Sequence, residues 1–251
     1  MQFEDYCSRY HTIAMSREGG VLEMRLHTRG GEAKWGITTQ SLHAELGEAF
    51  ADIARDRENK IVIITGTGDN FIAEMDSEAM AAEPSPGAMW GRLYEEGVAL
   101  LQNLLAVPVP MIAAVNGPAL IHSEIPVLCD IVLAAEHAEF ADLAHTVNGV
   151  IPGDGVQTVW PMLLGPNRGR YFLLTGQRIG AEEAQRLGVV SEVLPAHKLV
   201  TRAHELAEVL AKNPARMLRH TRSVLVRNLR RRMAEELGAG LSIEALTTLD
   251  F

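Results

Sequence analysis

Three short apolar runs constrain this chain most. Residues 60–65, Lys-Ile-Val-Ile-Ile-Thr, lead into Gly66; residues 109–115 end at Asn116-Gly117-Pro118; residues 130–135 form the third. None shows the polar–apolar alternation of a half-exposed strand. Each therefore reads as a strand covered on both faces, as in a parallel sheet between layers. All are too short to cross a bilayer. Residues 21–27 do alternate, and read as a half-buried strand after the Gly19-Gly20 turn. Residues 39–56 carry Leu42, Leu46, Ala49, Phe50 and Ile53 at helical spacing, and residues 90–105 read as a helix after an Ala-, Pro- and Ser-rich loop over 79–88. The pattern predicts further helices near 122–128 and over 155–164, 168–174 and 181–187, with strands from Glu139 and over 189–193. From His197 it is helical to the end, interrupted at Lys212-Asn213-Pro214. Alternating strands and helices over 1–195, then helices over 196–251, make this an α/β chain with a helical C-terminal region in the same structural unit.

Composition excludes several function classes. A formal net charge of -9 argues against nucleic-acid binding, which needs basic surface to meet phosphate. The two cysteines, Cys7 and Cys129, show no zinc-ligand spacing, and so few thiols fit a reducing cytoplasm. The opening Met1-Gln2-Phe3-Glu4-Asp5-Tyr6 has no apolar run, so no signal peptide is expected. No metal or cofactor motif and no membrane segment is expected.

One pair of residues suggests chemistry. His145 and Asp154 are nine residues apart and flank Gly149-Val150-Ile151-Pro152-Gly153, a turn across which they can meet. A carboxylate that accepts a hydrogen bond from one imidazole nitrogen fixes the tautomer and frees the other nitrogen to take a proton from water. The alternative is a hydrogen-bonded structural histidine.

The order and spacing of several segments are distinctive. They are Lys60 to Gly66 with Asp69-Asn70-Phe71-Ile72-Ala73-Glu74-Met75-Asp76, Pro110 to Gly117, Cys129-Asp130 to Ala135, Ile151-Pro152-Gly153, Leu174-Thr175-Gly176, and Ala181-Glu182-Glu183-Ala184 with Gly188-Val189-Val190. Together they resemble the crotonase (enoyl-CoA hydratase/isomerase) superfamily over almost the whole chain. The resemblance implies a crotonase-type spiral of ββα turns, a helical trimerisation region, and a homotrimer or dimer of trimers.

The departures narrow it. Thioester-processing members have a Gly-rich stretch after the Asn-Gly turn, where bare backbone donates an N–H to the thioester oxygen. Here the segment is Leu120-Ile121-His122-Ser123-Glu124-Ile125-Pro126. His145 falls where hydratases carry a catalytic Glu, Asp154 where many members have a small residue, and Glu124 on a second hydratase carboxylate. The tail of the thioester enzymes is not found after Asp250-Phe251. Trp35, His122 with Glu-Ile-Pro, His145, Asp154, Val159-Trp160-Pro161, Asn167 to Gly176, and Glu244 resemble the β-diketone hydrolase subgroup, typified by 6-oxocamphor hydrolase. Ile121 and Ser123 depart from that subgroup, where Asn and Pro are expected.

That resemblance implies cofactor-independent retro-Claisen hydrolysis of a cyclic 1,3-diketone, a small molecule, to a keto acid. His145 held by Asp154 would activate water; His122 and the Trp35 indole N–H would hydrogen-bond the carbonyl or the enolate; Glu244 would orient water or deliver the proton. Each residue has a plainer reading: Trp35 as a lid or surface anchor, His122 or Asp154 as a helix cap, Glu244 as a solvated helical carboxylate. The basic run Arg219, His220, Arg222, Arg227, Arg230, Arg231 and Arg232 reads as a solvated or inter-subunit face in preference to a site for CoA phosphates. The competing functions are a CoA-thioester hydratase, isomerase or hydrolase, and a non-enzymatic scaffold.

Overall fold

The computed structural model describes residues 1–80 and 85–248. In chain order the elements are β1 (Ile13–Glu18), β2 (Val21–Leu26), β3 (Lys34–Trp35), α1 (Leu42–Arg55), β4 (Ile61–Gly66), β5 (Glu74–Met75), α2 (Pro86–Ala106), β6 (Met111–Val115), α3 (Glu124–Val127), β7 (Ile131–Ala135) and β8 (Glu139–Phe140). They continue with α4 (Val156–Leu164), α5 (Pro166–Thr175), β9 (Ile179–Gly180), α6 (Ala181–Arg186), β10 (Glu192–Leu194), α7 (Ala196–Ala211), α8 (Ala215–Leu225) and α9 (Arg227–Thr247).

The main sheet runs β1-β2-β4-β6-β7-β10; only the β1–β2 hairpin is antiparallel. The three apolar runs are its centre, and the register shows why they do not alternate. Ile61, Ile63, Ile112, Ala114, Leu133 and Ala135 pack under Leu199, Ala203 and Ala207 of α7. Val62, Ile64, Met111, Ala113, Val115, Val132 and Ala134 face the larger core, with α1 and α2. Both sets of alternate side chains find an apolar partner, so no position selects a polar residue. A second layer, β3–β5 and β8–β9 with the bridges Ile72↔Ala119 and Ala119↔Phe140, completes the ββα turns. Among the described residues no helix is long and apolar enough to cross a membrane.

Several elements differ from the sequence reading. β1 joins the sheet at its edge. The strand expected over 189–193 is confined to β10, because Val189 and Val190 are tied by their N–H groups to the Ala184 carbonyl and close the turn after α6. α2 begins at Pro86, capped by Ser85, whose Oγ accepts from the Ala88 N–H at 3.2 Å; of the loop expected over 79–88, residues 81–84 lie outside those described. The last helical stretch breaks at Val226 as well as before Ala215.

The basic run is not one solvated face. Arg222 is buried, donates to Asp130 at 2.7 Å, and reaches the Leu105 and Val107 carbonyls. Arg219 donates to the Arg57 and Asn59 carbonyls, and Arg231 pairs with Glu235 one turn along α9. Removing Asp130, the more exposed partner, would leave the buried Arg222 guanidinium without its countercharge. Arg219 and Arg222 thus tie α8 to the core, while the Arg231–Glu235 pair stays on the exposed face of α9.

Candidate active site

The loop between β6 and α3 places the first imidazole. Ala119 donates to the Glu139 carbonyl, and Leu120 and Ile121 to the Ile72 carbonyl, so the chain is pinned up to His122. His122 then takes a left-handed backbone, φ +51°. The conformation suits glycine, and a side chain there costs on the order of 1–3 kcal/mol. The glycine-type turn is thus kept while its residue is an imidazole that projects into the site. Its Nδ1 is hydrogen-bonded to Glu124 Oε1 at 2.9 Å. Trp35, brought in by the β3–β5 pairing, stacks on the ring with centroids 3.7 Å apart. The short helix uses Ser123 as its N-cap residue and makes no side-chain cap bond, so His122 is not a cap.

His145 follows β8 and opens a 3-10 turn, Thr146–Asn148. Its Nδ1 is hydrogen-bonded to Asp142 Oδ1 at 2.7 Å. Asp154 lies at the other nitrogen: its Oδ2 is 3.3 Å from His145 Nε2 and 3.0 Å from His122 Nδ1. Neither Asp154 oxygen has a hydrogen-bond partner among the described residues. The pair expected from spacing does meet, through Nε2, but the shorter contact to His145 is made by Asp142, three residues before it, and Asp154 is a buried carboxylate shared between two rings. Nor does Asp154 cap the next helix, whose N-cap is Gly155.

Glu244 arrives from α9 because two glycines let the helix touch the Asp154 loop. A Cβ on Gly153 would lie 2.4 Å from the Gly240 carbonyl oxygen, and one on Gly240 would lie 2.1 Å from that of Gly153. One turn beyond this contact, Glu244 Oε1 stands 3.7 Å from His145 Nε2, and the residue is 8% exposed. It is not a solvated helical carboxylate.

These residues surround one cavity of about 280 Å³ that Trp35, His122, His145, Asp154 and Glu244 all line. The rest of its wall is largely apolar, with Ile37, Met75, Met89, Trp90, Leu93 and Leu241, and no lysine or arginine is among its described lining residues. Trp35 is 1% exposed, which rules out a surface anchor. His43, on the first turn of α1, also lines the cavity, lies edge-on to Trp35, and is hydrogen-bonded through Nδ1 to Glu96 at 2.9 Å. Sequence reasoning missed His43 and Asp142. His43 was within reach, since it sits three residues before Leu46 on the buried stripe of α1. Asp142 carried no comparable signal.

Burial and charge set the protonation states. Burial pulls His122 down, but the charges of Glu124 and Asp154 outweigh it and push the ring up to about 10. Burial also opposes the charge on His145, which Asp154 and Asp142 nonetheless hold well above the usual imidazole value. Asp154 resists its own burial because His145 and His122 keep it well below the usual carboxylate range. For Glu244, burial and then the Asp154 charge raise the carboxyl to about 8. Burial lowers His43. At neutral pH the site therefore holds two imidazolium rings about a shared carboxylate, beside a neutral Glu244. His122, Glu124 and Asp154 offer donor atoms within 4.8 Å of one another, a composition and spacing able to hold a metal ion. The three are also linked directly, His122 to Glu124 by a hydrogen bond and to Asp154 by an ion pair.

A profile of the enoyl-CoA hydratase/isomerase family matches residues 16–246. Carnitinyl-CoA dehydratase of Salmonella arizonae is 35% identical over 204 residues, 80% of this chain and 75% of that protein. The protein from Shigella flexneri is 33% identical over the same extent. Among solved structures, a β-diketone hydrolase from the cyanobacterium Anabaena sp., bound to (S)-3-oxocyclohexyl acetic acid, superposes with a TM-score of 0.93 at 44% identity, covering 98% of this chain and 97% of that one. An enoyl-CoA hydratase/isomerase from Mycobacterium paratuberculosis superposes with a TM-score of 0.85 at 25% identity, covering 96% and 94%.

Proposed function

This chain belongs to the enoyl-CoA hydratase/isomerase family, and from that premise we propose that it is a β-diketone hydrolase, cleaving a C–C bond of a cyclic 1,3-diketone with water to give a keto acid. One observation carries the reading: three imidazoles, two carboxylates and two indoles line one otherwise largely apolar cavity whose described lining contains no lysine or arginine to hold CoA phosphates. The likeness to the Anabaena hydrolase supports it. A volume of about 280 Å³ suits a mono- or bicyclic diketone.

In the proposed reaction His145 Nε2, beside Asp154, takes a proton from water. The resulting hydroxide attacks one carbonyl carbon. The C–C bond to the carbon between the carbonyls then breaks, its electron pair passing into an enolate on the second carbonyl. His122 stays cationic well above neutral pH and, with the Trp35 indole N–H, donates to that oxygen as its charge develops. Glu244, neutral below about 8, delivers the proton to the enolate carbon and is restored by the proton His145 took from water, or orients the water while that proton passes from His145 to the enolate carbon. His145 rests as an imidazolium between two carboxylates, so the active fraction has lost its Nε2 proton. The rising limb of the kcat/KM profile accordingly lies above the usual imidazole value.

We assign residues 196–251 to closure of the site, since Leu241 and Glu244 reach it from α9, and to assembly of a homotrimer or a pair of trimers. The two free cysteines suit the cytoplasm. The test is turnover of a panel of cyclic 1,3-diketones by the purified protein, without added metal or CoA, with chiral analysis of the product acid. Hydrolysis of at least one diketone, with CoA thioesters inert, is the expected result. Turnover of thioesters alone would overturn the proposal.

A further inference from the structure

Asp142 has no place in the residue set that resemblance supplied, yet it makes the shortest contact to His145. Its side chain is fully buried, with Oδ1 2.7 Å from Nδ1 and Oδ2 without a hydrogen-bond partner among the described residues. A buried carboxylate with one hydrogen-bond partner among the described residues is costly to keep. A packing position would hold an apolar residue instead. Nor does Asp142 serve the adjacent 3-10 turn, which has no side-chain cap.

The backbone around it is fixed. Ala141 donates to the Ala119 carbonyl at 3.2 Å and Leu143 to that of Leu120 at 2.9 Å. Asp142 is thereby clipped to the same loop that carries His122. The carboxylate and both rings share one rigid frame, and the distance between rings is set by backbone hydrogen bonds.

Resting on the hydrolase reading above, we infer that Asp142 is the positioning residue for His145: by accepting its Nδ1–H, Asp142 fixes the tautomer and the ring orientation that turn Nε2 toward the cavity. Asp154 then need not orient the ring. It is left beside Nε2, with both oxygens buried and neither hydrogen-bonded among the described residues. Of the two carboxylates that flank His145, the one nine residues away faces the reaction and the one three residues away holds the base.

The experiment uses the full-length protein labelled with ¹⁵N-histidine, together with Asp142→Asn and Asp142→Glu. In the wild type, titration to alkaline pH should leave the last His145 proton on Nδ1; a neutral ring protonated on Nε2 would overturn the inference, with no variant needed. Asp142→Asn should lower kcat by about a hundredfold to ten-thousandfold with little change in KM, as loss of an orienting carboxylate does in a hydrolase triad. It should also move the His145 titration, and with it the rising limb of the pH profile, to lower pH. Asp142→Glu should recover part of kcat. A variant with kcat within about threefold of wild type and an unmoved pH limb would refute the assignment. If the wild type hydrolyses no diketone the functional reading fails, and the ring tautomer still decides the role of Asp142.

Discussion

Asp154→Asn tests the electrostatics of the site most directly. The wild-type carboxylate lies 3.0 Å from one ring and 3.3 Å from the other. At an effective dielectric of about 20, each full charge pair at such distances is worth roughly 5 kcal/mol, against several kcal/mol for burying the carboxylate. The expected net loss is about 3–5 kcal/mol, the range for breaking a buried pair by removing one partner. For a chain of this size that lowers Tm by roughly 6–20 °C. The pH dependence is the sharper signature. His122 and His145 are raised above 6.5 in the folded protein, so their share is fully present below 6.5 and fades as pH rises through the folded values, about 10 for His122. Asp154 is lowered from 3.8, so its share is lost only as pH falls below that value. The stability gap between wild type and variant should therefore be widest near pH 5–6.5 and narrow steadily toward 10. Urea midpoints at fixed protein concentration, measured from pH 5 to 10, supply the assay. A gap that stays constant over that range would show that the rings carry no charge and refute the reasoning.

Replacing His145 by Ala should cut kcat by about a hundredfold or more while leaving KM near wild type; steady-state kinetics that retain turnover would mean another group activates water. Glu244→Gln can neither ionise nor give up a proton, so whatever activity it retains should lack the wild-type decline as Glu244 ionises through about 8; a decline at the same pH in both proteins would assign it elsewhere. Trp35 presents a π-face to a cationic ring, a contact worth about 0.5–2 kcal/mol. Trp35→Ala should lower the His122 titration by roughly half to one and a half pH units, with Trp35→Phe retaining most of it, and an unchanged value in Trp35→Ala would exclude the stack as a source of charge stabilisation.

Much of the fold was legible locally. The apolar runs around Ile61, Met111 and Ile131 report burial on both faces, whatever their partners are. The alternation from Val21 and the stripe on α1 likewise depend on neighbours only through the environment they average. β10 was placed too early because Val189 and Val190 are as apolar as a strand, though their N–H groups turn back onto α6. The break at Val226 carries no proline or glycine and left no trace in the pattern.

In the site, the chain itself declares residue types and their spacing. It shows an imidazole where glycine is expected at position 122, a second imidazole and a carboxylate about a Pro-Gly turn, and a glutamate one helical turn past Gly240. It does not declare which carboxylate meets which nitrogen. Asp142 and Asp154 are both within reach of His145 along the chain, and the choice between them rests on the clip of residues 141–143 to the Ala119–Leu120 carbonyls and the Gly153–Gly240 contact that carries Glu244 inward. Those are contacts between segments far apart in sequence, and a hydrogen bond depends on tenths of an ångström that no local pattern encodes. Chemistry in kind is written along the chain, and its geometry exists only once the layers have packed.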